Sequence, residues 1–220
     1  MIRRRMIIAI DGPAGAGKGT LGRRLARTLG LAYLDTGLLY RAVGAAMLDA
    51  GKPLTDVAAA EEMARRLSAD SVVNRPALRT EDVGRAASAV AAIPGVRAAL
   101  LAFQRCFARC PPGGARGAVL DGRDIGTVIC PEADVKVFLT ASPEARAERR
   151  SEELRAAGEP SIYAEILKDV EDRDQRDSAR AEAPLRPAVD ALVIDTTCLD
   201  ADAVYAQVIE KIAELRKGRA

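Results

Sequence analysis

One short stretch near the N-terminus decides the fold: Gly12-Pro13-Ala14-Gly15-Ala16-Gly17-Lys18-Gly19-Thr20. It follows a continuous apolar run at residues 6–10, which predicts a strand buried on both faces of a parallel sheet. It leads into residues 18–29, where leucines recur every four positions, as they do on one face of a helix. A Gly-x-x-x-x-Gly-Lys sequence between such a strand and such a helix surrounds a phosphate with backbone N–H groups. The sequence therefore predicts a binding loop for a nucleoside triphosphate.

The end of this loop narrows the class of protein. In GTPases and motor ATPases a Ser or Thr follows the lysine directly and contacts Mg²⁺, whereas here Gly19 follows Lys18 and Thr20 comes one position later. This Gly-Lys-Gly-Thr form resembles nucleoside monophosphate kinases. We expect Lys18 to reach the β- and γ-phosphates of ATP, and Mg²⁺ to enter with the nucleotide, held through phosphates and water. No protein side chain is predicted as a metal ligand.

Composition excludes several other classes. With 33 basic and 31 acidic residues the formal net charge is only +2, which gives no reason to expect a nucleic-acid partner. The absence of histidine excludes a His general base, a Ser-His-Asp triad and His-ligated zinc. The four cysteines do not suggest a disulfide scaffold, and no run approaches the ~18 apolar residues of a membrane span. We therefore expect a cytoplasmic protein with reduced thiols and no membrane partner.

Strands and helices alternate along most of the chain. Further apolar runs that end in polar residues predict strands at 32–34, 118–120, 135–139 and 192–195. Periodic segments predict helices at about 38–50, 57–67, 81–91, 95–109, 162–181 and 204–215, and another from residue 144 onward. This alternation predicts an α/β fold, a P-loop parallel sheet flanked by helices, with a helical acceptor-binding insert and a helical lid.

The predicted organisation is one domain covering residues 1–220. Its core lies at about 1–55 and 115–220, and the lid at about 144–181 falls within that core span. The acceptor-binding insert, at about 56–114, is helical apart from an irregular stretch at 71–79, where Val72-Val73 could be the remnant of a strand.

A second binding site is expected where two other strands end, because ligands of open α/β sheets bind at the carboxyl ends of the strands. Asp35-Thr36-Gly37, with Tyr40 and Arg41 close behind, follows the second strand. Asp121 to Thr127, read as Asp-Gly-Arg-Asp-Ile-Gly-Thr, follows the third. Thr36 could equally serve as a helix cap, and Asp-Gly could serve a turn alone. Two carboxylates and an arginine around two glycines favour a binding site.

The two predicted helices of the lid carry clustered arginines. A solvated face of salt bridges is the ordinary explanation of such a run. The break at 158–160 leaves open a mobile lid as the alternative, whose arginines could neutralise a transferring phosphoryl group. Helical spacing would place Arg173 with Asp177 on one face, and Arg176 with Arg180 likewise. The charged residues in question are Arg146, Arg149, Arg150, Arg173, Asp174, Arg176, Asp177 and Arg180.

These stretches together resemble the bacterial cytidylate kinases. The similarity extends from about residue 6 to residue 215, and its most specific part is the segment from Asp121 to Thr127. The resemblance implies transfer of the γ-phosphoryl group of ATP to CMP or dCMP, giving ADP and CDP or dCDP. It implies that catalysis depends on four residues: Lys18, Arg123, Asp124 and Arg180.

The resemblance also implies which residues bind the acceptor, and it contains one departure. Residues 71–79 are too few for the β-hairpin that many family members carry in this lobe. The positions similar to the family's acceptor site are Ser88, Arg97 and Asp124 for cytosine, Arg41, Arg123 and Arg180 for phosphate, and Arg173 and Asp177 for the sugar, with Thr36 and Tyr40 beside them.

Several alternatives stay open at the level of sequence. The nearest is a kinase for AMP, UMP or dTMP; Arg97 with Asp124 favours cytosine, which offers an amino donor and a carbonyl acceptor. A regulatory module that senses or hydrolyses ATP is another, against which the paired acceptor-site arginines argue. A purely structural protein would bind no nucleotide. We expect a monomer, and the sequence fixes neither CMP over dCMP nor ATP over GTP.

Overall fold

The computed structural model of the protein describes residues 5–67, 76–180 and 182–217. Within them lie five strands, β1 (Met6–Asp11), β2 (Ala32–Asp35), β3 (Gly117–Gly122), β4 (Val135–Thr140) and β5 (Leu192–Asp195). They form one sheet in the order β2-β3-β1-β4-β5, and neighbouring strands are parallel. All five carboxyl ends therefore meet at one edge, with β1 and its following loop at the centre. The predicted parallel α/β fold is confirmed.

The described residues contain eight α-helices. No single helix in this part of the chain is long and apolar enough to cross a membrane. The segments Glu81–Val90 and Pro94–Gly114 reach the necessary length and apolar character only together, as a pair bent by 100°. Short helical turns occupy Pro76–Arg79, Pro112–Gly114 and Ile125–Ile129. The helices are α1 (Lys18–Leu29), α2 (Gly37–Asp49), α3 (Val57–Arg65), α4 (Glu81–Val90), α5 (Pro94–Arg109), α6 (Pro143–Ala156), α7 (Tyr163–Ser178) and α8 (Ala201–Lys217).

Two helix ends differ from the sequence prediction by three residues. Helix α7 stops at Ser178 instead of continuing to 181, and the Asp177 carbonyl accepts a hydrogen bond from the N–H of Leu185 as the chain turns back. Arg180 thus lies beyond the helix, and the predicted face shared by Arg176 and Arg180 is wrong. Helix α8 begins at Ala201, before the predicted residue 204, because Asp200 caps it by accepting the N–H of Ala203 at 2.8 Å. The possible strand at Val72-Val73 lies outside the described residues.

The continuous apolar run of β1 is explained by burial on both faces of the sheet. Ile8 and Ile10 lie in one core with residues of α1 and α8, while Ile7 and Ala9 lie in another with Leu120 and residues of α5. Alternate side chains point to opposite faces of a strand, so a strand covered on both sides has no polar position. This burial fixes β1, and with it the start of the phosphate loop.

Helices α2 to α5 share a separate core that includes Leu39, Val43 and Leu100. Helices α2 and α4 approach closely at Gly44, where a Cβ atom would lie 2.8 Å from the backbone nitrogen of Ala87. The absence of a side chain at this position therefore permits the contact. The contact brings residues at the start of α2 and in the middle of α4 to the same side of the cleft described next.

Candidate active site

An open cleft of about 1230 Å³ lies along the carboxyl ends of the strands. A typical site for one small ligand occupies roughly 300–1,000 Å³, so this cleft has room for two nucleotides. Every residue that the sequence predicts for the donor or the acceptor site lines the cleft, apart from Gly12 and Pro13. The structure thus brings together side chains from five separate segments of the chain.

The phosphate loop turns sharply out of β1 and into α1. Gly12 has a φ of 144°, and a Cβ atom there would lie 2.0 Å from the carbonyl oxygen of Leu139, so no other residue fits. Gly17, with a φ of 88°, makes the left-handed turn that starts α1. The side chain of Lys18 folds back over the loop, and its Nζ donates to the Pro13 carbonyl at 2.7 Å. The ammonium group is therefore held beside the loop that would wrap the phosphates.

The electrostatics around Lys18 suit an anionic ligand. The pKa of Lys18 is lowered to about 7, mainly by burial and then by the positive charge of Arg123. The carboxylates of Asp121 and Asp35 oppose the shift. A buried ammonium group is stabilised by a nearby negative charge, which offsets the cost of removing the group from water. A triphosphate would supply that charge.

Two carboxylates face Lys18 from adjacent strand ends. Asp35 and Asp121 are partners in the register of β2 and β3, and the hydroxyl of Tyr33 donates to Asp121 Oδ2 at 2.5 Å. Burial raises the pKa of Asp121 to about 6, and the neighbouring charge of Asp35 adds to the rise. The sequence motifs contain both aspartates, but no role is predicted for them from sequence.

Thr36 does not act as a helix cap through its side chain. Its hydroxyl donates to the Asp121 carbonyl at 2.7 Å and makes no capping bond to α2. The capping alternative is therefore wrong, and Thr36 ties the start of α2 to the end of β3. It does so inside the cleft, where it is almost fully buried.

Three arginines surround one buried carboxylate on the acceptor side of the cleft. Asp177 accepts from Arg123 Nε at 2.8 Å and also pairs with Arg180. Burial raises the pKa of Asp177, but the charges of Arg123, Arg180 and Arg173 outweigh it and hold the pKa below its ordinary value. Burial lowers the pKa of Arg173 to about 10, and the charge of Arg123 adds to that shift. The cluster keeps an excess of positive charge, as a site for a phosphate requires.

A second buried ion pair joins α5 to the turn after β3. Arg97 of α5 pairs with Asp124, and both side chains are less than one-tenth exposed. The Arg97 guanidinium lies 5.8 Å from the centre of the Tyr40 ring, and Ser88 lines the same part of the cleft. The structure thus assembles fixed donors and acceptors from α2, α4, α5 and the turn after β3.

Four buried side-chain atoms in the described part of the chain make no hydrogen bond: Ser88 Oγ, Thr127 Oγ1, Arg173 Nε and Arg180 Nε. Such atoms are rare in folded proteins, and each costs about 1–3 kcal/mol. Three of the four belong to residues predicted for the acceptor site, and those three residues line the cleft. A polar ligand would satisfy them.

Two arginines of α6, Arg146 and Arg149, contact the phosphate loop. Arg146 donates to Asp174 of α7 at 2.9 and 2.5 Å and to the Ala14 carbonyl at 3.3 Å. Arg149 donates to the Gly15 carbonyl at 3.3 Å. Of the α7 arginines, Arg176 is exposed and donates to a backbone carbonyl of its own helix, which matches the solvated alternative.

Arg150 links the two sides of the cleft, because it pairs with Glu81 at the start of α4 as well as with Glu153 of its own helix. Arg85 of α4 similarly pairs with Asp169 of α7 at 3.2 Å. These contacts connect the helices predicted as a lid to the helices predicted as an acceptor lobe.

Sequence reasoning missed two residues at the base of the site. Asp11 ends β1, and its carboxylate accepts from the N–H groups of Ile125 and Gly126, both at 2.7 Å. Thr196 follows β5, and its hydroxyl contacts the Ala16 carbonyl at 3.3 Å. Asp11 could have been found from the sequence, because an aspartate at the end of an apolar strand is a recognisable signal. Thr196 offers no such signal, since a threonine near a strand end is common.

Comparison with known proteins identifies the family. The sequence model of the family described as "Cytidylate kinase" matches residues 8–214. The chain is 60% identical to the cytidylate kinase of Paramagnetospirillum magneticum, over 96% of this chain and 99% of that protein. It is 55% identical to that of Rhodopseudomonas palustris strain CGA009, over 97% and 99%. A solved structure of an uncharacterized protein from Eubacterium ventriosum resembles it with a TM-score of 0.53 at 15% identity, over 95% and 99%, which concerns the fold alone.

The match therefore covers the phosphate loop, the turn after β3 and the arginines of α7 together. The chain belongs to the cytidylate kinase family, whose members transfer phosphate from ATP to CMP or dCMP.

Proposed function

We propose that the cleft performs this reaction with ATP on the phosphate loop and the acceptor nucleotide among α2, α4, α5 and α7. The observation that carries the proposal is the meeting of the two halves at Lys18 and Arg123. Both side chains line the cleft, and the charge of Arg123 lowers the pKa of Lys18. Two phosphate groups brought to this point would be neutralised and aligned for transfer.

The donor half is assigned to residues 12–20. Backbone N–H groups of the loop and the start of α1 cradle the phosphates, and Lys18 contacts the β- and γ-phosphates. Arg146 and Arg149 support this half, since both donate to carbonyls of the loop.

The acceptor half is assigned by matching its hydrogen-bonding and charged side chains to the base, the phosphate and the sugar of the nucleotide. The buried Arg97–Asp124 pair, with Ser88 beside it, offers a carboxylate oxygen for the cytosine amino group and donors for the ring carbonyl and nitrogen. Arg41, Arg123 and Arg180 hold the acceptor phosphate, and Arg173 with Asp177 contacts the sugar. Thr36 and Tyr40 complete the wall.

Transfer requires no strong general base in this arrangement, because the attacking oxygen of the acceptor phosphate is already anionic. That oxygen bonds to the γ-phosphorus as the bond to the β–γ bridging oxygen breaks, and ADP leaves with the electron pair. Lys18, Arg123 and Arg180 offset the charge that spreads over the phosphoryl oxygens. Asp124 contributes by binding the cytosine base of the acceptor nucleotide and so fixing its position.

Mg²⁺ is proposed to arrive with ATP. Among the described residues, no three metal-ligating side chains gather at one point. The carboxylates of Asp35 and Asp121, which act on Lys18, suit the water shell of such an ion, since Mg²⁺ keeps several waters and takes few protein ligands. When bound, the ion would add positive charge at the β- and γ-phosphate oxygens.

The organisation of the chain follows the same proposal. Residues 56–114 form the acceptor-binding insert, and residues 144–181, with α6 and α7, form the lid over a core that spans the remainder. The protein acts as a monomer in the cytoplasm; the complete set of site residues within one chain and the four free thiols support this assignment.

Lys18→Ala tests the assignment of the cleft. We expect kcat to fall by at least about 10²-fold, because a donor to the transferring group is removed, while the circular dichroism spectrum stays unchanged. Lys211→Ala, which alters an exposed lysine of α8, should retain normal turnover. Near-normal kcat in Lys18→Ala would contradict the assignment. ATP consumption by the unaltered protein that is indifferent to added CMP would favour the regulatory alternative.

A further inference from the structure

Asp11 occupies a position between the two halves of the cleft. It is the last residue of β1, directly before Gly12 of the phosphate loop, and it is 4% exposed. Its backbone is fixed by pairing with Gly122 of β3 on one side and Phe138 of β4 on the other. The start of the donor loop is therefore anchored through this residue.

The side chain of Asp11 reaches the acceptor half. Oδ1 accepts from the N–H of Ile125 and Oδ2 from the N–H of Gly126, both at 2.7 Å. These are the two residues directly after Asp124, and they open the turn Ile125–Ile129. The Asp124 carbonyl closes the same turn by accepting from the N–H groups of Val128 and Ile129 at 2.8 and 3.1 Å. The backbone of Asp124 is thus held on both sides.

The local packing matches this contact. A Cβ atom on Gly126 would lie 3.3 Å from Asp11 Oδ2 and 3.3 Å from carbons of the Lys136 side chain. Burial raises the pKa of Asp11 to about 6, although both backbone N–H groups oppose the rise. The nearby charge of Asp124 adds to the rise.

We propose that Asp11 is a positioning residue that holds Asp124 at the correct place and angle to recognise the acceptor base. The carboxylate of Asp124 faces Arg97, and the direction of that side chain depends on a backbone that Asp11 fixes from the donor side. The same residue thereby sets the distance between the phosphate loop and the base-recognising pair. This inference rests on the proposed role of Asp124.

The test is the selectivity of Asp11→Asn between CMP and UMP. The amide keeps one acceptor oxygen but presents an NH₂ group to the second backbone N–H, which displaces the turn. Loss of one charge-assisted hydrogen bond is worth about a tenfold change. We expect kcat/KM for CMP to fall by about tenfold or more with kcat/KM for UMP nearly unchanged, and KM for ATP to change by less than about threefold.

Asp134→Asn is the matched control. Asp134 also accepts a backbone N–H of β1, that of Ile7 at 2.9 Å, but it lies at the opposite end of the strand and does not line the cleft. Its CMP:UMP selectivity should equal that of the unaltered enzyme. Gly126→Ala crowds the same contact from the other partner, and we expect a smaller loss of the same selectivity.

Three outcomes decide the matter. A lower selectivity in Asp11→Asn and Gly126→Ala, with Asp134→Asn unchanged, supports the proposal. Unchanged selectivity in a folded Asp11→Asn overturns it whatever happens to Tm, and a lowered Tm would show that the contact is only structural. If Asp11→Asn does not fold, Gly126→Ala alone decides in the same way. Failure of the proposed function shows itself separately, as an unaltered enzyme that does not prefer CMP to UMP.

Discussion

At the scale of single residues, the site combines charges that are costly to bury. Burial lowers the pKa of Lys18, and the positive charges of Arg123 and Arg173 add to that shift. Asp121 and Asp35 offset only part of this excess. Sites that stabilise a transferring phosphoryl group need positive charge already in place before the ligand arrives. The unpaired Nε atoms of Arg173 and Arg180 belong to the same preorganised set.

The lowered pKa of Lys18 predicts proton uptake when ATP binds. In the free protein this pKa is about 7, so at pH 8 most molecules carry a neutral amine. A bound triphosphate favours the charged form and raises the pKa, so the protein takes up close to one proton per ATP at pH 8 and much less at pH 6. Calorimetric titrations in buffers of different ionisation enthalpy measure this number directly.

Lys18→Ala serves as the control for this titration, since it removes the titrating group. We expect it to bind ATP more weakly and with little proton uptake. A binding enthalpy at pH 8 that does not vary with the buffer in the unaltered protein would contradict the environment described for Lys18.

The sequence was sufficient to predict site residues where a polar or charged side chain directly follows an apolar strand. Arg123, Asp124 and Thr36 stand directly after apolar strands, so the strand pattern alone places them at one edge of the sheet. Asp11 and Thr196 could not be assigned a function in this way. Their partners lie 114 or 115 and 180 residues away in sequence, and only the folded sheet brings them together.

At the scale of elements, the strands were predictable and some helix ends were not. A strand buried on both faces leaves an apolar run with sharp polar ends, and β1 and β3 show that pattern. Helix α7 is polar along most of its length, so no change in pattern marks its end at Ser178. The turn Ile125–Ile129 depends on the Asp11 carboxylate from another strand, which no local pattern reveals.

The close contact between α2 and α4 predicts whether replacing Gly44 by alanine stabilises or destabilises the protein. In an ordinary helix, replacing glycine by alanine stabilises the protein by about 0.4–1 kcal/mol. At Gly44 the new Cβ atom would lie 2.8 Å from the Ala87 backbone nitrogen and 3.0 Å from the Ala86 Cβ. Backbone atoms cannot turn aside, so we expect Gly44→Ala to destabilise the protein by about 1–3 kcal/mol.

Chemical denaturation measures this change, and kinetics measure its effect on the cleft. KM for CMP should rise more than KM for ATP, because α2 and α4 carry Arg41 and Ser88 but no residue of the phosphate loop. A more stable Gly44→Ala protein would show that the two helices do not meet as described.

At the scale of the whole molecule, the strand order explains how one cleft could hold both nucleotides, as we propose. β1 lies between β3 and β4, so the loop after β1 and the turn after β3 emerge side by side. The helical block between β2 and β3 lines one side of the cleft and is the proposed acceptor wall, and the two helices between β4 and β5 line the opposite side. The contacts of Arg150 and Arg85 join these two walls across the opening.

The central claim is that the acceptor is a cytidine monophosphate, selected by the buried Arg97–Asp124 pair. The most direct measurement is kcat/KM for ADP release, with ATP and Mg²⁺ held constant, across CMP, dCMP, UMP, AMP and dTMP. The account predicts that CMP or dCMP exceeds every other acceptor by at least about tenfold, because uracil lacks the amino donor that Asp124 would bind. An equal or higher value for AMP or UMP would contradict it.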